Sequence, residues 1–483
     1  MSNYEILVKR IGLTGLANLV VSVTPIILLP ILTKILTIQE YGVWSLIVVT
    51  AGLVPMLVTL GLQTSMMRFL APIKNKDDIR EGYYSIALVV LGADLVASLF
   101  LLLFGQSIAT NLLGNNSTVA LLLPLITFAA SYNVVPQTYF RTFQQAKRYS
   151  IVLLLQTFVF VALVAAFVVF GLGLAGASLG YLVALLLTAL ISTYYVLRDI
   201  GAKWPRFTQL KAYLKYGLPL VPGFLSTWVL NVSDRYIITF FLGVAWVGYY
   251  SPGYQLGNLI TLLAMPFSIL LPTAIYEHYD ANRIVEVKTI LRYSIKYFIA
   301  AAVPAAFIFS ILSEQILTLL SSPEIAANGY LITPFTAFSS VLFGLFSIIV
   351  VVLTFEKKTT IIGIVWILAA VLNIGLNLIL VPYFGILAAA LTTALGYSVV
   401  CGVAAIYSVR QIRLDLDFGF ILKSIFASIV VSSFSLVWHA NGFLNISAFI
   451  IICAVAYCAI LFILKGFSAS EIRFFSNILT GER

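Results

Sequence analysis

Apolar residues run in long unbroken blocks along the chain, and polar residues collect in the short gaps between them. Each block is long enough to cross a bilayer as a helix, at roughly 1.5 Å of rise per residue. The pattern predicts fourteen spans, near residues 11–33, 42–65, 83–105, 118–139, 149–170, 174–197, 217–242, 246–271, 294–313, 329–354, 359–381, 384–409, 421–439 and 445–464. Pro382-Tyr383-Phe384-Gly385 supplies the turn that divides the stretch 359–409. Continuous blocks, rather than short alternating ones, argue against a transmembrane barrel. The expected fold class is an all-α polytopic membrane protein with about 14 transmembrane helices.

Two spans break their own pattern. The seventh carries Asp234 and Arg235 side by side in YGLPLVPGFLSTWVLNVSDRYIITFFLG. With Thr227 and Asn231 they follow spacings of three and four, which is one polar stripe along a helix. Ionisable groups at membrane depth are costly, and they face a protein interior or a wet cavity. Two readings stay open: an internal ion pair that locks two helices together, or a stripe lining a substrate cavity. The third span carries Asp94 between Ala93 and Leu95. A lone carboxyl group there is either a proton carrier for coupled transport or a hydrogen-bonding link to a neighbouring helix.

Parts of the chain repeat. Tyr41-Gly42-Val43-Trp44-Ser45 follows the first span, and Val247-Gly248-Tyr249-Tyr250-Ser251 follows the seventh. Gly173-Leu174-Ala175-Gly176-Ala177 is echoed by Gly385-Ile386-Leu387-Ala388-Ala389. Both echoes pair a span with the one six spans later. Six is even, so the two halves share one orientation, and their pseudo-twofold axis runs along the membrane normal. The expected organisation is two six-helix lobes, residues 1–200 and 201–410. Helices 13 and 14 and a cytoplasmic tail, residues 411–483, are appended.

Composition supports the membrane reading and the charges orient it. The chain is 61% hydrophobic and 10% charged, against roughly 25% charged for ordinary globular domains. A net charge of +10 would suit a nucleic-acid partner, but the positions of the charges point to topology. With the N-terminus in the cytoplasm, every Lys and Arg except Lys34 and Arg235 falls on the cytoplasmic side or at an inner helix end. Both termini are then cytoplasmic. The block after Lys9-Arg10 is too long for a signal-peptide core and is read as an uncleaved first helix. The tail, residues 466–483, is mildly amphipathic and is expected on the inner surface.

Candidate chemistry is sparse. Cys401, Cys453 and Cys458 all fall inside apolar blocks without metal-ligand spacing, and the two histidines, His278 and His439, are far apart. No metal or cofactor is expected. No G-x-x-x-x-G-K-[ST] phosphate loop occurs, so the chain should not hydrolyse ATP. A polysaccharide polymerase or ligase would need a large outer loop with catalytic residues. The longest outer connections, Gln106–Ser117 and Glu314–Asn328, are short and carry no basic residue, so an enzyme is not expected.

Four segments resemble a known family. They are Leu29-Pro30-Ile31-Leu32-Thr33-Lys34 with Glu40-Tyr41-Gly42; Gly217-Leu218-Pro219-Leu220-Val221-Pro222; Ser233-Asp234-Arg235-Tyr236-Ile237-Ile238 with Val247-Gly248-Tyr249-Tyr250-Ser251; and Pro382 to Ala390. In order and spacing these are similar to the polysaccharide transporters, or O-antigen (lipid-linked oligosaccharide) flippases, of the multidrug/oligosaccharidyl-lipid/polysaccharide exporter superfamily. The resemblance departs from related peptidoglycan-precursor flippases in one respect. Those carry arginine in the first helix, whereas here that helix has only Lys34, near its outer end.

The resemblance implies a flippase that moves an undecaprenyl-pyrophosphate-linked oligosaccharide, an O-antigen or capsule or exopolysaccharide repeat unit, to the outer leaflet of the bacterial inner membrane by alternating access. It implies lipid-linked oligosaccharide and membrane lipids as partners, and a polymerase and chain-length regulator as candidate partners. The substrate needs cations for its pyrophosphate and hydroxyl, amide and aromatic groups for its sugars. Arg235 is the first candidate cation, with Asp234 orienting it and Asn231 on the same stripe. Lys34 either lines the cavity or snorkels to outer headgroups. Arg68, Arg141 and Lys296, at inner helix ends, are candidates to meet the pyrophosphate at the cytoplasmic mouth or else anchor their helices. Tyr249, Tyr250 and Tyr254 are candidates to stack on sugars or to sit in an interfacial belt. Asp94 is the candidate for ion coupling. It keeps a second reading open, a multidrug/cation antiporter of the same superfamily.

Overall fold

A computed structural model describes residues 3–412, 416–436, 438, 442–468 and 471, with side chains from Gly12 onward apart from Thr273 and Leu436. Arg413, His439, Arg473 and Arg483, and most of the expected surface tail, lie outside the described residues. The described residues are helical with no strand.

The first predicted spans form α1 (Asn3–Ile35) and α2 (Ile38–Val58). The turn between them is a capping box. Thr37 Oγ1 accepts the Glu40 N–H and the Glu40 carboxylate accepts the Thr37 N–H, so two otherwise orphaned donors are satisfied. Then come α3 (Leu62–Phe69), α4 (Lys76–Leu103), α5 (Gly105–Asn111), α6 (Ser117–Thr142), α7 (Ala146–Phe167) and α8 (Gly173–Ile200). The seventh predicted span is the irregular one. It enters from α9 (Leu210–Gly217), passes a 3-10 turn at Leu218–Leu220, and is cut into α10 (Val221–Val232) and α11 (Asp234–Leu242). The second part of the chain continues through α12 (Val244–Asn258), a 3-10 stretch at Leu259–Ala264, α13 (Met265–Asp280), α14 (Ile284–Ile311), α15 (Ser313–Leu320), α16 (Pro323–Gly329) and α17 (Ile332–Phe355). It is completed by α18 (Thr359–Phe384), α19 (Ile386–Ile412), α20 (Phe418–Ser432) and α21 (Phe443–Ile463).

Among the described residues, twelve stretches are long and apolar enough to cross a membrane. One of them, Ala146–Ile200, holds both α7 and α8 across a kink where Gly171 takes a φ of +83°. The seventh predicted span is missing from the twelve because α10 and α11 are each too short. With both resolved, every predicted span has its helix. The turn after Pro382 is also where expected: α18 stops at Phe384 and Gly385 takes a φ of +65°, a backbone region that favours glycine.

Contacts divide the described chain into two compact units. The first comprises Met1–Pro252 with Gly363–Gly396, and the second Gly253–Ile362 with Tyr397–Arg483. In the first unit, α18 and α19 are joined by a buried amide–hydroxyl network. Thr392 donates to Asn377 (2.9 Å) and Asn377 to Asn373 (3.1 Å). Hydrogen bonds of this kind stand in for the hydrophobic drive that lipid cannot supply between helices.

The first sequence echo is a physical contact inside the first unit. Ser45 and Ser251 share a 2.7 Å hydrogen bond between hydroxyls. A Cβ on Gly42 would lie 2.0 Å from the Val244 carbonyl oxygen, and one on Gly248 would lie 2.3 Å from the Ile38 carbonyl oxygen. Ile38 and Val244 correspond under the same offset that relates Gly42 to Gly248 and Ser45 to Ser251. The contact is therefore self-complementary, each residue meeting the counterpart of its own partner, as at a twofold axis. The second echo shares a conformation instead: Gly173 and Gly385 both take positive φ (+55° and +65°) at a helix start.

Candidate functional site

The break in the seventh span falls at Ser233, whose backbone stays right-handed (φ −64°, ψ −25°), and the charged pair directly follows it. In an unbroken helix the Arg235 N–H would donate to the Asn231 carbonyl. Here it donates to Asp234 Oδ1 (2.8 Å), and Arg235 Nη1 takes the Asn231 carbonyl instead (3.2 Å). Asp234 thus caps the start of α11 while Arg235 caps the end of α10, each supplying a group that a helix terminus leaves unsatisfied. The same Nη1 lies 3.1 Å from Asp234 Oδ1, in an ion pair whose members are 5% and 1% exposed. Tyr250 of α12 donates its hydroxyl to Asp234 Oδ2, and its ring lies 5.6 Å below the guanidinium. Asn231 donates to Thr227 O (2.7 Å) and Thr227 to Gly223 O (3.1 Å), so the polar stripe runs the length of α10.

Tyr236, the next residue, turns to a different surface. Its hydroxyl bonds to Thr50 of α2 (2.6 Å). Both residues border a cavity of about 500 Å3 whose other walls are apolar, with Leu53, Val54, Val96, Phe100 and Leu112 among them. Ala93 and Ala97 line this cavity, and Asp94 between them is fully buried with Ser131 of α6 beside it. Neither Asp94 carboxyl oxygen has a hydrogen-bond partner among the described residues.

The remaining candidates are scattered. Lys34 is exposed in the last turn of α1. Arg68 and Arg141 are exposed in the last turns of α3 and α6. Their neighbours Met66, Leu70, Tyr139 and Phe140 share one core cluster, which brings the two arginines to the same part of the first unit. Lys296 is in another setting: it is buried in the second unit against the Glu471 carboxylate at 2.8 Å. Burial would push the Glu471 carboxyl up, but hydrogen bonds from Lys296 and Ser468 and the Lys296 charge outweigh it and hold the group below the usual carboxylate range. Tyr249 is half-buried beside Trp246, and Tyr254 borders a small polar niche of about 10 Å3 with Asn258, Thr336, Ser339, Ser340 and Tyr397. That niche has room for about one water molecule.

Sequence reading offered Tyr250 for sugar stacking or an interfacial belt, whereas here it is buried against Asp234 and Arg235; Glu471 was not singled out. Nothing local marks Tyr250 as the partner of Asp234. Glu471 carries a readable signal, since Ser468-Ala469-Ser470-Glu471 has the spacing of a capping box.

Comparison with known proteins gives three kinds of likeness. The family model described as polysaccharide biosynthesis protein matches residues 7–274, and the MatE model matches residues 219–379. An uncharacterised membrane protein of Methanocaldococcus jannaschii is 23% identical over 303 residues, 59% of this chain; the match spans 57% of that relative's length. Among solved structures, the lipid II flippase MurJ in an inward closed conformation matches with a TM-score of 0.75 at 13% identity, covering 93% of this chain and 98% of that one. An inward-facing multidrug resistance MATE family transporter of the MOP superfamily matches with a TM-score of 0.63 at 17% identity, covering 83% and 94%. A MOP superfamily transporter from Pyrococcus furiosus matches with a TM-score of 0.58 at 16% identity, covering 84% and 96%.

Proposed function

The chain belongs to the polysaccharide biosynthesis protein family and has the fold of MOP superfamily transporters, and from that premise we propose that it flips a polyprenyl-pyrophosphate-linked oligosaccharide across the bacterial inner membrane. The cargo is an undecaprenyl-linked repeat unit of O-antigen, capsule or exopolysaccharide, and it moves from the cytoplasmic to the outer leaflet by alternating access. The observation that carries this reading is Arg235. It is a fixed cation placed at a helix break within a membrane span, held by one carboxylate, one carbonyl and one aromatic ring. A guanidinium forks onto phosphate oxygens, and a helix break is where transporters expose backbone groups to a substrate. Asp234 and Tyr250 hold the cation in the resting state, and a pyrophosphate competes with Asp234 for it. Arg68 and Arg141, both exposed in the first unit, suit a first encounter with the same anion. The uncharged niche around Tyr254 and Asn258, with room for about one water, suits a single hydroxyl at most. A polymerase and a chain-length regulator are the partners such a cargo requires downstream.

The test is surface polysaccharide in cells that depend on this protein. Arg235→Ala should abolish it while the protein stays in the membrane at normal level, and Arg235→Lys should restore part of it. Normal polysaccharide from the alanine variant would remove Arg235 from the substrate path.

A second reading, a multidrug/cation antiporter, is favoured by one feature of the first unit. The buried Asp94 carboxyl sits beside the wall of an apolar cavity large enough for a small lipophilic cation. Asp94→Asn should impair transport only if that group carries a proton. Full activity of the variant at every pH at which the parent transports would leave Asp94 as a packing residue.

A further inference from the structure

The segment after α21 ends in a built site that the proposed transport chemistry does not use. Lys465 takes a positive φ (+51°), and the Gly466 N–H returns to the Leu461 carbonyl (2.8 Å), which closes α21 and turns the chain back. Lys423 of α20 donates to the Lys465 carbonyl (3.2 Å). Phe467 packs on Phe420 of α20, with ring centroids 5.5 Å apart. Ser468 and Glu471 complete a capping box, with Ser468 N–H to Glu471 Oε2 at 2.7 Å and Glu471 N–H to Ser468 Oγ at 3.3 Å.

That box fixes where the Glu471 carboxylate points. Both its oxygens accept from Lys296 of α14 (2.8 and 2.9 Å), and Tyr297 donates to one of them (3.3 Å). The ammonium lies 4.9 Å from the Phe420 ring and 5.3 Å from that of Phe467. The ion pair is thus roofed by aromatic rings, with its members only 7% and 6% exposed. By contrast, the pair that joins Arg292 of α14 to Asp417 ahead of α20 is at 4.0 Å and well exposed; a surface pair of this kind contributes little. Apolar packing alone discriminates poorly between helix neighbours in lipid. Removing one member of a buried pair leaves an uncompensated charge, so the buried pair defines one docked position sharply.

We propose that residues 465–468 with Glu471 form a strap that clamps α20 to α14, so that α20 and α21 move with α14 as one piece during transport. The strap touches all three elements: it leaves α21, packs on α20 through Phe467, and is pinned to α14 through Glu471. Lys296, read from sequence as a candidate phosphate contact, is the pin's receptor in this arrangement.

The experiment uses the full chain in lipid nanodiscs and in cells. Glu471→Gln keeps the shape of the side chain and removes its charge. Hydrogen exchange at Phe467 and Ser468 should rise at least about tenfold, because the amides then open locally, and surface polysaccharide should fall several-fold. The swap Lys296→Glu with Glu471→Lys should bring both readouts back toward wild type. Unchanged exchange in Glu471→Gln would show that the pair does not hold the segment. Raised exchange with undiminished polysaccharide would show that the clamp plays no part in transport. Either result overturns the proposal. The exchange readout does not depend on the cargo, so a failure of the strap is separable from a failure of the substrate assignment.

Discussion

Tyr250 gives one hydroxyl and one ring to the Asp234–Arg235 pair, and the two contributions can be separated. Tyr250→Phe keeps the ring beside the guanidinium and removes the donor to Asp234. A hydrogen bond to a charged group is worth about 1.5–3 kcal/mol, so thermal unfolding of the purified protein should shift down by several degrees, and Tyr250→Leu should shift it further. Equal shifts for the two variants would mean that the ring adds nothing. The acid and the base of this site were legible in the sequence, because a charge inside an apolar block stands out without any structure. Tyr250 was not. Tyrosine is common in this chain, and a residue 16 positions away becomes a partner only when α12 folds back beside α11. Lys296 teaches the converse: sequence placed it at an inner helix end, whereas it lies in the middle of α14, buried against a carboxylate 175 residues later, because the charged ends of apolar blocks do not mark where a long helix begins.

At the scale of elements, the repeat is the feature that sequence and structure share most directly. Two short echoes predicted related halves, and the first of them turns out to be a contact in which Gly42 and Gly248 allow backbone to approach backbone. Any side chain there must push α2 and α12 apart. Gly248→Val should therefore destabilise the protein by about 1–3 kcal/mol, the usual range for overpacking, and should weaken the Ser45–Ser251 bond. Cysteines placed at 45 and 251 should cross-link readily in the parent and poorly in the valine variant. Undiminished cross-linking would show that the glycines are not needed for the approach. The sequence expectation of one continuous seventh helix met a finding of another kind: the span is interrupted at Ser233, and just after it Asp234 and Arg235 put side-chain bonds in place of a backbone one. Spacing rules assume a regular helix, so they placed Thr227, Asn231, Asp234 and Arg235 on one face without registering the break.

At the scale of the molecule, the charge pattern makes a claim about sidedness that labelling can test. Single cysteines at Lys74 and Lys211 should react only with a reagent admitted to the cytoplasmic side, and a cysteine at Asn115 only with one outside. Labelling of any of the three from the opposite side would break the predicted alternation at that point. What the sequence determined by itself is the class of fold, the number and order of spans, the internal repeat and the charges that interrupt apolar blocks, Asp94, Asp234 and Arg235. These are one-dimensional properties, because a chain in lipid must satisfy its backbone hydrogen bonds within each helix, and the apolar blocks mark where it does so. Only tertiary structure decided what each buried charge meets: Tyr250 for Asp234, Glu471 for Lys296, and no hydrogen-bond partner among the described residues for the Asp94 carboxyl. Helix association in lipid is set by local fit rather than by burial of apolar surface, and local fit between residues distant in the chain leaves no periodic trace in the sequence.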